Sequence, residues 1–258
     1  MPAPELALLI DAARAAGDIA LRHWRRSPQV WDKGDDHGPV TEADLAVNDM
    51  LATRLRQACP DYGWLSEETP DDTARLGCDR VFIIDPIDGT RSFIAGEETF
   101  AHSLALAERG QVIAAVVFLP ALARLYSASV TGPAQCNGVL IHTSPVSDLA
   151  KANVLTTKAS LDPAHWPNGL PVFQRSFRAS LAYRLCLVAE GRHDAMLTFR
   201  DSWEWDIAAG SLIAARAGAT VTDKSGCPLA FNAPRPQVAG VIVAPQALHT
   251  DILAHLGT

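Results

Sequence analysis

Val81-Phe82-Ile83-Ile84 runs without a polar break into Asp85-Pro86-Ile87-Asp88-Gly89-Thr90. Four consecutive apolar residues, β-branched or aromatic, predict a buried strand in the interior of a sheet. Pro86 has no N–H for a sheet ladder, so the strand is expected to end at Asp85. Gly89 permits a tight turn and a close approach of backbone to a ligand. One strand end therefore gathers two carboxylates, the Thr90 hydroxyl and bare amides. Hard divalent cations take carboxylate and carbonyl oxygens, and magnesium usually adds water and substrate phosphate. Asp-Pro and Asp-Gly also punctuate ordinary surface turns, so the remaining acidic residues must decide between a metal cradle and a turn.

The chain has 258 residues, 48% of them hydrophobic and 20% charged, a globular balance. That length suits one large α/β unit or two closely packed halves. The net charge of −7 speaks against a nucleic-acid polymer or an anionic membrane as partner. An acidic protein that handles anionic substrates needs metal ions to reverse the local field. Five cysteines without a C-x-x-C pair predict buried free thiols, with neither a disulfide framework nor a zinc site. The first residues lack a basic segment followed by an apolar core, and no uncharged run approaches membrane-spanning length. The expected compartment is the cytoplasm.

Along the chain, apolar spacing predicts a helix over 5–26, then a polar loop from Trp31 to Pro39 containing Lys33. Thr41 and Asp44 fit a capping box, with Asp in place of Glu, for a helix reaching about Cys59. Strands are expected at 64–66 and 81–85, then as an antiparallel meander at 99–106, 112–118 and 122–128. Asn137-Gly138 marks a turn before 139–141. Beyond about residue 145, strands at 153–156, 172–174, 195–198, 219–222 and 240–243 alternate with helices near 178–190, 206–217 and 246–256, an α/β order. The boundary divides the chain into halves at 1–145 and 146–258.

Carboxylates recur at similar addresses. Glu67 and Glu68 follow a short strand, and Asp85 and Asp88 follow the next. Asp206 opens the small-residue run Ile207-Ala208-Ala209-Gly210 after Trp203-Glu204-Trp205. An aspartate in a first helical turn commonly caps or complements the dipole. Small residues, however, allow close helix packing and so a rigid placement of Asp206, which a metal ligand needs. The Glu67-Glu68 pair, Asp85-Pro86-Ile87-Asp88-Gly89-Thr90 and Trp205-Asp206-Ile207-Ala208-Ala209-Gly210 closely resemble, in order and spacing, the motifs of the inositol monophosphatase family. Thr41-Glu42-Ala43-Asp44 stands where that family has a threonine–aspartate pair.

The resemblance implies a magnesium-dependent, lithium-sensitive phosphomonoesterase with a layered αβαβα sandwich, an α/β (α+β) fold. It implies a metal-binding α+β half with an antiparallel sheet, an α/β half completing the substrate site, and a homodimer as a family expectation. It assigns Glu67, Asp85 and the Ile87 carbonyl to a first magnesium, and Asp85, Asp88 and Asp206 to a second. Two or three ions are expected. Gly89 and Thr90 resemble the residues whose amides hold the substrate phosphate. Asp44 and Thr90 resemble the pair that activates the attacking water, and Glu67 joins them in the catalytic set. Lys33 falls near the family's mobile-loop lysine. Two metals about 3.5–4 Å apart suit in-line displacement at a phosphate monoester. No serine, cysteine or histidine nucleophile is needed, and the eight histidines are read as structural or solvated.

For the alcohol side of the substrate, Arg178, Ser180, Glu204 and Asp206 are the candidates. Arg178 and Arg184 are either helix-surface charge or a cationic wall for a second phosphate. The loop from Arg91 to Phe100, and Glu204 two residues before Asp206, are similar to the bisphosphate nucleotidase branch. Inositol monophosphatases more often carry a glutamate where this chain has Phe199. These features favour a small phosphorylated metabolite, 3'-phosphoadenosine 5'-phosphate first and inositol monophosphate next. The alternatives are histidinol phosphate, another sugar phosphate, or a non-catalytic regulatory relative. A generic metabolite-binding module has no support, since neither G-x-G-x-x-G nor G-x-x-x-x-G-K-[ST] occurs.

Overall fold

The computed structural model describes residues 4–32, 34 and 38–257. The loop lysine at position 33 lies outside the described residues. Helix α1 (Pro4–His23) turns Leu9, Ala12, Ala13, Ala16 and Ala20 inward. A short hairpin of β1 (Val30–Asp32) and β2 (Pro39–Thr41) leads into α2 (Glu42–Ala58). The capping box forms as the sequence predicts: Thr41 Oγ1 accepts from the Asp44 amide, and Asp44 Oδ2 accepts from the Thr41 amide at 2.8 Å.

A seven-stranded sheet follows, built from β3 (Gly63–Ser66), β4 (Arg80–Asp88), β5 (Ala101–Glu108), β6 (Gln111–Leu119), β7 (Arg124–Ser129), β8 (Gln135–Cys136) and β9 (Val139–Leu140). The strands lie side by side in chain order; β3 runs parallel to β4 and every other pair is antiparallel. The short helix α3 (Thr90–Ile94) fills the connection from β4 to β5. Strand β4 is buried on both faces, as its composition requires. Phe82 and Ile84 join the cluster formed with Leu9, Leu51 and Leu55, whereas Val81 and Ile83 join the cluster that includes Leu185, Ala208 and Ile213.

One expectation about β4 is corrected. The strand does not stop at Asp85: Asp85 pairs with Ser103, Asp88 pairs with Ala101, and the register shifts between them. Three steps on β4 face two on β5, so one extra residue bulges out. The bulge accommodates Pro86, whose missing N–H is harmless where the ladder is interrupted.

The second sheet comprises β10 (Asn153–Leu155), β11 (Gln174–Ser176), β12 (Ala195–Trp203), β13 (Thr220–Thr222) and β14 (Gln237–Ala244), in the order β11-β10-β12-β14-β13. Strand β10 is parallel to both neighbours, and β14 is antiparallel to β12 and β13. Helices α4 (Leu181–Ala189) and α5 (Glu204–Arg216) lie between the two sheets, α1 and α2 cover the outer face of the first, and α6 (Gln246–Leu256) packs on β14. The result is a five-layer α/β sandwich. The chain crosses from the first sheet to the second between Leu140 and Asn153.

The five cysteines are all free, but only Cys136 and Cys186 are buried; Cys227 is exposed, contrary to the expectation of buried thiols. Among the described residues, no helix is long and apolar enough to cross a membrane.

Candidate metal and phosphate site

The inner layer brings distant carboxylates together. Asp85 and Asp88 leave the bulged end of β4, and Asp206 lies in the first turn of α5. One carboxylate oxygen from each lies within 4.8 Å of the others. Asp88 Oδ2 accepts from Ser180 Oγ and from the Ala182 amide, each at 2.6 Å. Since Ser180 is the N-cap of α4, Asp88 is fixed against the start of that helix. Burial raises the Asp88 carboxyl pKa, and the hydrogen bonds from Ser180, Ala182 and Leu181 oppose that rise.

Asp85 is almost fully buried, and its Oδ1 has no hydrogen-bond partner among the described residues. Burial lifts its pKa well above the carboxylate range, and Glu67, Asp88, Asp206 and Glu68 add to the effect. Asp206 is raised in the same way by burial, Asp88 and Glu67, with Arg200 and Arg184 pulling it back. A buried cluster of like charges is tolerated when it is protonated or coordinates a cation. The donors are all oxygen, which suits a hard divalent ion. A buried Asp85 oxygen without a partner among the described residues fits the same reading.

Glu67 follows β3, where its amide donates to Ile84 O at 3.2 Å. That places it beside the strand carrying Asp85, and its charge is felt by both Asp85 and Asp206. Ile87 O lies 3.1 Å from Thr90 Oγ1, and the same hydroxyl lies 3.3 Å from Asp44 Oδ1. Asp44 Oδ2 is held by the Thr41 amide and by Thr41 Oγ1 at 2.5 Å. One carboxylate thus caps α2 with one oxygen and faces Thr90 with the other. Gly89 has a φ of 96° and precedes α3; a Cβ there would come within 3.3 Å of Thr99 O. Its left-handed backbone turns the chain from the bulge into α3 at little steric cost.

The candidates for substrate contact separate. Arg178 is exposed in the turn before Ser180, its Nη1 donating to Phe177 O at 2.6 Å. Ser180 is fully buried, and its hydroxyl serves Asp88 and the start of α4. Glu204 is also fully buried. Its two oxygens accept from the amides of Asn232 (2.6 Å) and Ala233 (2.9 Å), so this carboxylate is engaged by a loop of its own chain. Arg184 is not helix-surface charge: it is buried, donates to Arg178 O and Ala179 O, and stacks 4.4 Å from the Phe177 ring. Burial lowers its pKa to about 10, although Asp88 and Asp206 favour the charged form.

Two contributors beyond the motifs stand out: His102, read in the sequence only as one of the structural or solvated histidines, and Ser103, which carried no signal there. His102 is fully buried beside the motif and donates Nδ1–H to Pro86 O, across the bulge. Its only sequence signal is its place on the buried face of a strand, two residues before Leu104. Ser103, opposite Asp85 in the ladder, donates to Trp205 O at 2.8 Å and so ties β5 to the first turn of α5.

The family model for the inositol monophosphatase family matches residues 1–258. A histidinol-phosphatase of Chlorobaculum parvum is 33% identical over 98% of this chain and 97% of its own length. The CysQ 3'(2'),5'-bisphosphate nucleotidase of Escherichia coli is 32% identical over 85% and 91%. Among solved structures, an IMPase of Thermotoga maritima superposes with a TM-score of 0.85 at 29% identity, covering 99% of this chain and 97% of that one. A sandwich of this kind with an oxygen-only acidic centre defines a class of metal-dependent phosphoric monoester hydrolases. The chain belongs to the inositol monophosphatase family. Metal dependence, generally on magnesium, and lithium sensitivity are general traits of that family.

Proposed function

We propose that this chain hydrolyses a phosphate monoester on a small metabolite, with two or three magnesium ions held by Glu67, Asp85, the Ile87 carbonyl, Asp88 and Asp206. The observation that carries the reading is the convergence of carboxylate oxygens of Asp85, Asp88 and Asp206 within 4.8 Å of one another, with Asp85 Oδ1 buried and without a partner among the described residues. When bound, the ions supply Lewis acidity to the phosphate and its leaving oxygen, and they acidify water.

The chain's own residues do the rest. Ser180 and the amide of Ala182 fix Asp88, while Asp85 keeps Oδ1 free of hydrogen bonds from the described residues. Thr90 Oγ1 takes a proton from the attacking water as its own proton passes to Asp44 Oδ1, 3.3 Å away. Asp44 is suited to this because its other oxygen is locked by Thr41. The amides of Gly89 and Thr90 receive the phosphate. Residues 1–145 supply most of the metal-binding half, and 146–258 complete the substrate site.

For the alcohol group, the exposed Arg178 supports a substrate bearing a second anionic group, such as 3'-phosphoadenosine 5'-phosphate, with inositol monophosphate next. Similarity to a histidinol-phosphatase along nearly the whole chain supports histidinol phosphate as the alternative to both. A panel of the three phosphomonoesters, compared by kcat/KM with magnesium and again with lithium or a chelator, tests both levels. Magnesium-dependent release from at least one supports hydrolysis, and their ranking assigns the substrate. No release from any of them at saturating magnesium overturns the reading.

A further inference from the structure

The side chain of Trp203, at the N-cap of α5, makes no cap hydrogen bond to the turn that carries Asp206. That turn is instead tied to a buried polar network. Glu204 is the first residue of α5, and its carboxylate grips the amides of Asn232 and Ala233. The Glu204 amide donates to Pro236 O at 3.0 Å, closing the loop on the same helix start. Asn232 has a φ of 64°, a left-handed conformation open to asparagine, which presents two successive amides to one carboxylate.

Arg75 stands on the other side of this loop. Only 2% of the residue is exposed. Its guanidinium makes a bidentate pair with Asp71 (2.6 and 2.8 Å) and donates to Asn232 Oδ1 (2.6 Å) and Ala233 O (3.0 Å). Asn232 Nδ2 answers with a bond to Arg75 O at 3.3 Å. Arg75 belongs to the segment that follows Glu67 and Glu68, between β3 and β4. A continuous chain of bonds therefore joins the segment after Glu67 to the turn that bears Asp206, along a path separate from the metal cluster.

We propose that Arg75, Asn232 and Glu204 are positioning residues, which hold the Asp206 turn in register with Glu67 and so set metal affinity. The inference rests on the metal-dependent reading above. A planar, bidentate guanidinium suits such a brace because its fork resists rotation, which a lysine ammonium does not. Losing a partner that orients a ligand costs about 10–100-fold in metal affinity.

The test uses the full chain: magnesium binding by titration calorimetry, thermal melting in chelator, and steady-state turnover at saturating magnesium. Arg75→Lys and Glu204→Gln are expected to raise the magnesium Kd about tenfold or more. At saturating metal, kcat and the substrate KM are expected to return to within a few-fold of the parent chain. Asn232→Gly keeps the left-handed backbone, removes only the Arg75 contacts, and serves if the first two variants fail to fold; it is expected to raise the magnesium Kd measurably. Arg109→Ala removes an exposed pair with Asp79 and is expected to leave the Kd unchanged. Folded variants with a lower melting temperature and an unaltered Kd would overturn the proposal, since the network would then be structural only. A parent chain that binds magnesium yet hydrolyses no phosphomonoester would refute the hydrolase reading instead, while calorimetry on the variants would still decide the brace.

Discussion

Gly210→Ala places one methyl group at the point where the two inner helices touch. A Cβ at Gly210 would lie 2.7 Å from Leu185 Cβ and 3.3 Å from Ala182 O. Ordinary contact begins at 3.4 Å, so α4 and α5 must separate by at least about 0.7 Å there. The contact lies one turn from the site on both helices: Ala182 donates its amide to Asp88, and Asp206 precedes Gly210 by four residues. Overpacking costs about 1–3 kcal/mol, and alanine returns about 1 kcal/mol of helix propensity. A net loss of about 1 kcal/mol lowers Tm by only about 2–4 °C in a chain of this size. The functional cost is larger, because magnesium demands near-ideal octahedral geometry and metal sites hold their ligand distances within about 0.2 Å. We expect kcat/KM to fall about 10–100-fold and the magnesium midpoint to rise, measured by phosphate release across a magnesium series. Gly17→Ala is the matched control. Its Cβ would meet Phe118 Cε1 at 2.5 Å, where α1 packs on β6, outside the inner layer. It should lower Tm without moving the magnesium midpoint. An unchanged midpoint in Gly210→Ala, or an equal shift in Gly17→Ala, would refute the reasoning.

Asp88→Asn removes charge but keeps shape, and it should cut turnover by about 100-fold or more with a normal circular dichroism spectrum; full magnesium-dependent turnover would rule out Asp88 as a ligand. Arg178→Ala should raise KM for a bisphosphate more than for inositol phosphate, and equal effects in the two assays would remove Arg178 from the specificity argument. Burial lowers the pKa of His102 to about 4, a shift only partly opposed by its bond to Pro86 O. Above about pH 6.5 the imidazole is neutral in both folded and unfolded chains, so it adds no pH dependence; below that, the unfolded chain binds a proton that the fold rejects. The resulting loss approaches about 3 kcal/mol as pH falls from about 6.5 to about 4. Denaturant melts of His102→Leu should show a shallower decline across that window, and an identical slope would place the acid sensitivity elsewhere.

What could be read in the sequence was local, and what could not was remote. The Thr41–Asp44 box was legible because both partners sit in one helical turn, and β4 was legible because both its faces are apolar. Pro86 misled because its missing N–H ends a regular ladder, whereas a bulge removes the need for that bond; nothing within the strand announces the bulge. The task of Glu204 was illegible for another reason. Its two amide partners lie 28 and 29 residues along the chain, and only the left-handed turn at Asn232 brings them to one carboxylate. Ser180 likewise read as a substrate contact, but its hydroxyl donates to Asp88, 92 residues away at the end of β4. Motif spacing reveals which residue types are present, but it does not show whether a side chain faces the cleft or the residue beside it.

The inner layer shows why the site forms where the two sheets face each other. Helix α4 begins by giving its amides to Asp88, and α5 carries Asp206 in its first turn. Both helices therefore direct the positive end of their dipoles at the acidic cluster, which offsets part of the cost of converging carboxylates before any cation binds. Ser103 fastens the start of α5 to the strand opposite Asp85, and Ser180 fastens the start of α4 to Asp88. Separation of the two helix starts is thus fixed from the first sheet, and their crossing is fixed by the absence of a side chain at Gly210. A carboxylate cluster held from two independent directions does not relax by moving one helix. Its repulsion is relieved by protons or by cations, and the proposed metal-dependent reading uses the second of these.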